Sequence, residues 1–151
     1  MENEPAAARH AWALFLTAHA VLIDRVEAGL REAGMPELAW YDVLWALENA
    51  EGGKLRMHEL AQRIVLTRSN LSRLVDRLEL AGLVRREACA DDRRGNYCVV
   101  TAAGREMRRR IWPVYRKEID GWFGRHIHPD EARILADCFT RILARAGADG
   151  A

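Results

Sequence analysis

Apolar residues recur along this chain at helical spacing nearly everywhere and at strand spacing in one place. Over residues 7–33, Trp12, Phe15, Leu16, His19, Leu22, Ile23, Val26 and Leu30 fall along one stripe. They predict a long helix that Gly34 closes and Pro36 keeps from continuing. A second helix is expected over about 39–51, with Val43, Leu44 and Leu47 turned inward and Gly52 and Gly53 as its stop. A shorter one, about 56–64, carries Met57, Leu60, Ala61 and Ile64 on one face. No Gly or Pro lies in 64–66, so this helix turns tightly into the next, which spans Thr67 to Gly82. There Leu71, Leu74, Val75 and Leu78 sit at i, i+3, i+4 and i+7, a stripe that must be buried. Thr67 is suited to cap its start and Gly82 to end it in the left-handed conformation.

After Gly82 the period changes. Residues 83–87 and 97–101 read as short strands around a turn at 90–96, predicting a β-hairpin. Helical spacing then returns. Thr101 is a cap for a helix reaching to about 125, with Met107, Ile111, Val114, Tyr115 and Ile119 apolar and Pro113 expected to kink it. Pro129 opens a last helix with Ile134, Leu135, Cys138, Phe139, Ile142 and Leu143 on its apolar face.

The polar positions add a second surface to the helix that begins near Thr67. Opposite its apolar stripe stand Arg68, Asn70, Ser72, Arg73, Asp76 and Arg77. Short hydrogen-bonding side chains mixed with guanidiniums suit phosphate oxygens and the acceptor edge of guanine. Two helices joined by a tight turn, the second with such a face, form a helix-turn-helix pattern. A hairpin directly after it is a wing, its tip carrying Asp92, Arg93, Arg94 and Gly95. The tip arginines are suited to the minor groove, and Asp92 to holding Arg94 extended. The expected fold is mainly α with a small β-hairpin wing, a winged helix-turn-helix with N- and C-terminal dimerisation helices. The terminal helices carry more apolar surface than this small middle can cover, which points to a homodimer.

Charge strengthens this picture. The formal net charge is only +1, yet residues 54–110 hold 14 Lys and Arg against 7 Asp and Glu, a net of +7 that leaves −6 elsewhere. A polyanion bound there would be held in a salt-dependent way. Other classes lose support. A spaced acid–base pair, a nucleophile with its base and a glycine-rich phosphate loop are all missing, so no enzyme and no cofactor is expected. His58 begins HELAQ rather than a zinc HExxH pair, and Cys89, Cys98 and Cys138 lack ligand spacing, so no metal is expected either. At 151 residues one domain is expected. No apolar run is judged long enough for a bilayer, and MENEPAAARH does not resemble a signal peptide, so a cytoplasmic protein without membrane contact is the expectation.

LRMHELAQRIVLTRSNLSRLVDRLELAGLVRRE (residues 55–87) and DRRGNYCVVTAAG (residues 92–104) together carry a family resemblance. The chain resembles a MarR-family transcriptional regulator over nearly its whole length, with Asp92 and Arg94 as the wing pair and Thr101 and Gly104 starting the fifth helix. Two positions depart from the pattern: Val100 stands where leucine is usual, and Arg56 where a Ser or Thr cap is common. The resemblance implies one MarR-type domain over 1–151, with dimerisation helices at about 7–33 and 102–146 and a DNA-binding lobe at about 39–101. It implies a homodimer on double-stranded DNA at a pseudo-palindromic operator, usually a repressor, often released by a small aromatic or phenolic effector.

Under that resemblance Thr67, Arg68, Ser69, Asn70, Ser72 and Arg73 meet base edges and flanking phosphates, and Arg77 a phosphate farther along. Asp76 orients Arg73 or Arg77, Arg94 enters the minor groove, and Arg93 with Asp92 and Gly95 completes the wing contact. Trp12, His19, Trp40, Tyr41, Trp45, Trp112 and Tyr115 are the candidate effector residues, where an anion can stack on indole. Two alternatives stay open. One is a redox sensor of the same fold using Cys89 and Cys98 beside the wing; the other is a winged helix that binds protein rather than DNA.

Overall fold

The computed structural model describes residues 4–64, 70–90 and 95–148. Six helices and a three-stranded antiparallel sheet follow in the order α1 (Glu4–Glu32), α2 (Leu38–Glu48), β1 (Lys54–Arg56), α3 (Met57–Arg63), α4 (Leu71–Leu80), β2 (Val84–Ala88), β3 (Asn96–Val100), α5 (Ala102–Trp122) and α6 (Pro129–Ala148). The fold is the expected one, mainly helical with a hairpin wing. Helix ends shift by up to four residues from the sequence reading, the most at α4, which starts at Leu71 with Asn70 rather than the expected Thr67 at its N-cap.

Two helix ends show why the glycines stand where they do. Gly34 and Gly82 have φ of 70° and 76°. Met35 N–H donates to Leu30 O at 2.8 Å and Leu83 N–H to Leu78 O at 3.0 Å. Each closes a Schellman turn that needs a left-handed residue at its corner. Thr101 caps α5 as expected, its hydroxyl accepting from Gly104 N–H at 3.0 Å and donating to Gly82 O at 2.7 Å. The same threonine therefore ties the end of α4 to the start of α5. Gly104 lies so close to the Leu83 carbonyl that a Cβ there would collide with it. Pro113 sits inside α5, which continues unbroken across it from Ala102 to Trp122.

One strand was not foreseen. β1 pairs with β3, Arg56 opposite Tyr97 and Leu55 opposite Cys98, giving the order β1-β3-β2. Three residues are too few for alternation to show, and only the pairing with β3 defines them. The main core gathers Val43, Leu44 and Leu47 of α2, Leu60 of α3, the stripe of α4, and Val84, Cys98 and Val100 of the sheet. A smaller cluster joins Val26 and Leu30 of α1 to Leu38, Tyr41 and Ile111.

The arms differ. Only the C-terminal part of the α1 stripe is buried, while Trp12, Phe15 and Leu16 are exposed, as are Ile134, Ile142 and Leu143 of α6. The segment Pro5–Glu32 is also long and apolar enough to cross a membrane, with mean hydropathy 1.3 in its most apolar window. This corrects the sequence reading that no such run exists. The stretch free of Asp, Glu, Lys and Arg covers only residues 10–23. As a helix it would span roughly 21 Å, short of the ~30 Å hydrocarbon layer.

Candidate nucleic-acid interface

Burying Leu71, Leu74, Val75 and Leu78 forces the other side of α4 outward. Asn70, Ser72, Arg73, Asp76 and Arg77 are all exposed. Asn70, Arg73, Asp76 and Arg77 border a shallow groove of about 450 Å³. The supporting helix α3 reaches the same core through Leu60, and its first turn is held by Glu59, whose carboxylate accepts from Arg56 N–H at 2.9 Å. Arg56 thus occupies the cap position with its backbone, while Glu59 does the capping. Thr67, Arg68 and Ser69, expected at the start of the recognition helix, lie outside the described residues, as do Asp92, Arg93 and Arg94 at the wing tip.

The ion pairs on this face are not those expected. Asp76 does not pair with Arg73 or Arg77; it accepts from Arg86 of β2 at 2.7 Å. Glu79 also binds Arg86, through Nη1 at 2.9 Å and through the backbone N–H at 3.1 Å. Adjacent positions such as Asp76 and Arg77 do not face each other on a helix, so a strand residue takes the carboxylate. Asp76, foremost, holds the Arg86 guanidinium above its ordinary pKa. Arg86 therefore clamps the wing strand to the recognition helix. Arg77 goes elsewhere, to Glu37 in the α1–α2 connection at 2.7 Å. Sequence reasoning missed Arg86 and Glu37, since each acts through a contact remote in sequence.

The outer sheet face beside the wing is also cationic. Lys54 and Arg56 lie over the Tyr97 ring at 4.6 and 5.7 Å from its centroid. Glu87 accepts from Arg85 at 2.9 Å and Lys54 at 3.4 Å, and the Arg85 hydrogen bond is the main cause that holds its carboxyl below the usual range. Gly95 accepts from Cys89 N–H at 3.2 Å, carrying the hairpin ladder toward the tip.

This geometry has counterparts. The sequence profile described as MarR family matches residues 33–95. The solved MarR-family transcriptional regulator Sco3205 of Streptomyces coelicolor, in complex with DNA, is 34% identical with TM-score 0.80, the match covering 93% of this chain and 88% of that one. The chain belongs to the MarR family. A second MarR-family regulator, AbsC of Streptomyces coelicolor, is 30% identical with TM-score 0.81 over 93% of this chain and 94% of its own. The transcriptional regulator PrsX of Escherichia coli is 35% identical over 107 residues, 69% of this chain; the match spans 62% of that relative's length. These relatives are transcriptional regulators, not enzymes.

Within this MarR-family chain, the candidate effector residues fall in separate places. Tyr41 stacks on Trp112 at 5.9 Å and meets Tyr115 edge-on at 5.1 Å. Burial pushes both tyrosine hydroxyls above their ordinary pKa. Arg108 bridges this cluster to Glu48. Trp12 and His19 instead flank Phe15, at 5.9 and 6.3 Å, near Phe139 of α6. Trp45 is exposed on α2. Trp40 lines a groove of about 510 Å³ with Met35, Glu37, Arg77, Met107 and Arg110.

The thiols near the wing are both buried. Cys98 stands opposite Arg86 in the ladder, three residues from Cys89, so strand alternation puts the two cysteines on opposite faces of the hairpin. They are not placed to form a disulfide with each other. Burial pushes the Cys98 thiol up to about 11, away from the thiolate form that oxidants attack.

Proposed function

We propose that this chain is a homodimeric repressor that reads a pseudo-palindromic operator, with one half-site per protomer. The observation that carries the reading is the two-sided α4, its apolar stripe buried and Asn70, Ser72, Arg73 and Arg77 exposed on the opposite side. Helices of this kind enter the major groove with their N-terminal residues toward base edges. Thr67, Arg68, Ser69, Asn70, Ser72 and Arg73 make the base-edge and nearby phosphate contacts, and Arg77 reaches a phosphate farther along. Arg94 enters the minor groove, Arg93 meets the backbone, and Asp92 and Gly95 shape the wing tip. The net +7 of residues 54–110 and the DNA complex of a relative 34% identical both support this assignment.

The exposed apolar faces of α1 and α6 support dimerisation, because a second copy is the economical way to remove them from water. In this reading 7–33 and 102–146 are the dimer arms, 39–101 is the DNA-binding lobe, and one domain works in the cytoplasm. A small aromatic or phenolic anion relieves repression by favouring a dimer whose recognition helices are wrongly spaced for successive major grooves. The groove beside Trp40 offers such an anion an aromatic side chain and the Arg110 guanidinium, next to the Arg77–Glu37 ion pair.

A duplex selected from a random pool by the full chain, followed by fluorescence anisotropy over a salt series, tests the DNA assignment. Saturable binding with a steep salt dependence is expected; affinity no greater than for an unrelated duplex would overturn it. Titration with salicylate, following tryptophan fluorescence and then DNA release, tests the effector, and a flat response would remove the phenolic class.

A further inference from the structure

Two arginines one helical turn apart on the recognition helix differ in their partners. Arg73 has no carboxylate partner among the described residues, whereas Arg77 donates through Nη2 to Glu37 Oε1 at 2.7 Å. Both members of that pair are substantially exposed, so neither depends on the other to stay folded. Glu37 is also firmly placed. It precedes α2, its carbonyl accepts from Trp40 N–H at 3.0 Å, and the next residue, Leu38, donates its N–H to Glu27 of α1 at 3.0 Å. The α1–α2 corner is thus braced on both sides, and Glu37 projects from it to the recognition helix.

We infer that Glu37 is a charge brake on operator binding: it holds Arg77 and opposes the phosphate that competes for the same guanidinium. The inference rests on the DNA-binding reading above. While Glu37 holds the Arg77 guanidinium, that arginine is not free for a phosphate, and each Arg–phosphate contact forgone also forgoes the release of about one counterion. A phosphate contact by Arg77 therefore requires it to give up Glu37. That exchange makes affinity sensitive to the position of the corner joining the α1 arm to the DNA-binding lobe. Glu37 is a positioning residue, acting on DNA only through Arg77.

The test measures Kd of full-length wild type, Glu37→Gln, Glu37→Asp, Arg77→Ala, Arg73→Ala and the Glu37→Gln/Arg77→Ala double variant, across a salt series. The probe is the duplex selected by the wild-type protein, roughly 30 base pairs long to hold two half-sites one turn apart. Glu37→Gln is expected to tighten binding about two- to fivefold, the scale of one exposed ion pair. It should also steepen the slope of log K against log salt by up to about 0.9, one phosphate contact. Glu37→Asp should return binding toward wild type, and the gain should vanish in the Arg77→Ala background. Unchanged or weaker binding by Glu37→Gln overturns the inference, as does a gain that persists without Arg77. Arg73→Ala separates the two levels: if it leaves affinity intact, the recognition-helix reading fails; if it weakens binding while Glu37→Gln is inert, only the brake fails.

Discussion

The DNA-binding lobe and the helical arms use the same residue types at the same spacing, with opposite results. Leu74 of α4 is 1% exposed and Leu143 of α6 is 70% exposed. Each lies on an apolar stripe repeating at helical intervals. The lobe has α2, α3 and the sheet to close over its stripe, whereas α6 has little of its own chain beside it beyond the contact between Phe139 and Phe15. Periodicity states that a face must be covered; it does not state by what. The difference predicts where mutations act. Leu74→Ala should cost about 2–5 kcal/mol in urea unfolding, the price of a core cavity. Leu143→Ala should barely change the unfolding of a dilute protomer and instead raise the dimer dissociation constant, read by sedimentation velocity. Equal losses of intrinsic stability at the two sites would remove the distinction.

The next effect lies on the DNA side of the lobe alone. Arg73→Ala or Arg94→Ala should each cost roughly 1–3 kcal/mol of specific operator affinity while leaving the unfolding midpoint and the dimer constant in place. If either variant lost dimerisation together with DNA binding, the arms and the lobe would not be separable as drawn. Smaller still is the clamp between wing and recognition helix. Arg86→Met keeps an unbranched apolar stem but removes the guanidinium's bonds to Asp76 and Glu79, leaving only the backbone N–H on Glu79. It should cost about 1 kcal/mol of stability or less, as partly exposed ion pairs do. Operator affinity should nevertheless fall several-fold, because the wing is no longer fixed against α4. Unchanged anisotropy titrations would show that the hairpin ladder alone sets the wing.

These contrasts also show what was legible before any coordinates. The stripe of α4, the left-handed Gly82 and the Thr101 cap depend on neighbours within a few residues, and the structure has them where the spacing puts them. β1 was illegible because a three-residue strand carries almost no periodic signal and exists only through its pairing with β3. The partners of Asp76 and Arg77 were misread or missed for a related reason. Charge proximity in sequence favours near neighbours, but Arg86 and Glu37 lie 10 and 40 residues away and arrive by folding. Residue type and helix mark Trp12 and Tyr41 alike as aromatic candidates, but type alone does not say that they belong to different clusters. At the interface, Asn70, Ser72, Arg73 and Arg77 are exposed as the pattern predicts.

The finest comparison uses the two regions' own thiols. Cys98 of the lobe is fully buried in β3, whereas Cys138 of α6 is half-buried and lies 3.4 Å from Arg141. Iodoacetamide at pH 8, followed by mass spectrometry, should modify Cys138 first, and more slowly as protein concentration rises and a second copy covers α6. Cys98 should react only as fast as the lobe opens. The pH dependence carries a definite sign. An unfolded thiol ionises near 8.5, while burial holds Cys98 protonated up to about 11. The native state therefore keeps a proton that the unfolded state loses. This contribution to stability is fully present below about pH 8.5 and falls away as the pH rises toward 11. Cys98→Ala should flatten that alkaline fall in the unfolding temperature. An alkaline slope that Cys98→Ala leaves unchanged would mean that the lobe's thiol is open to water in the native state.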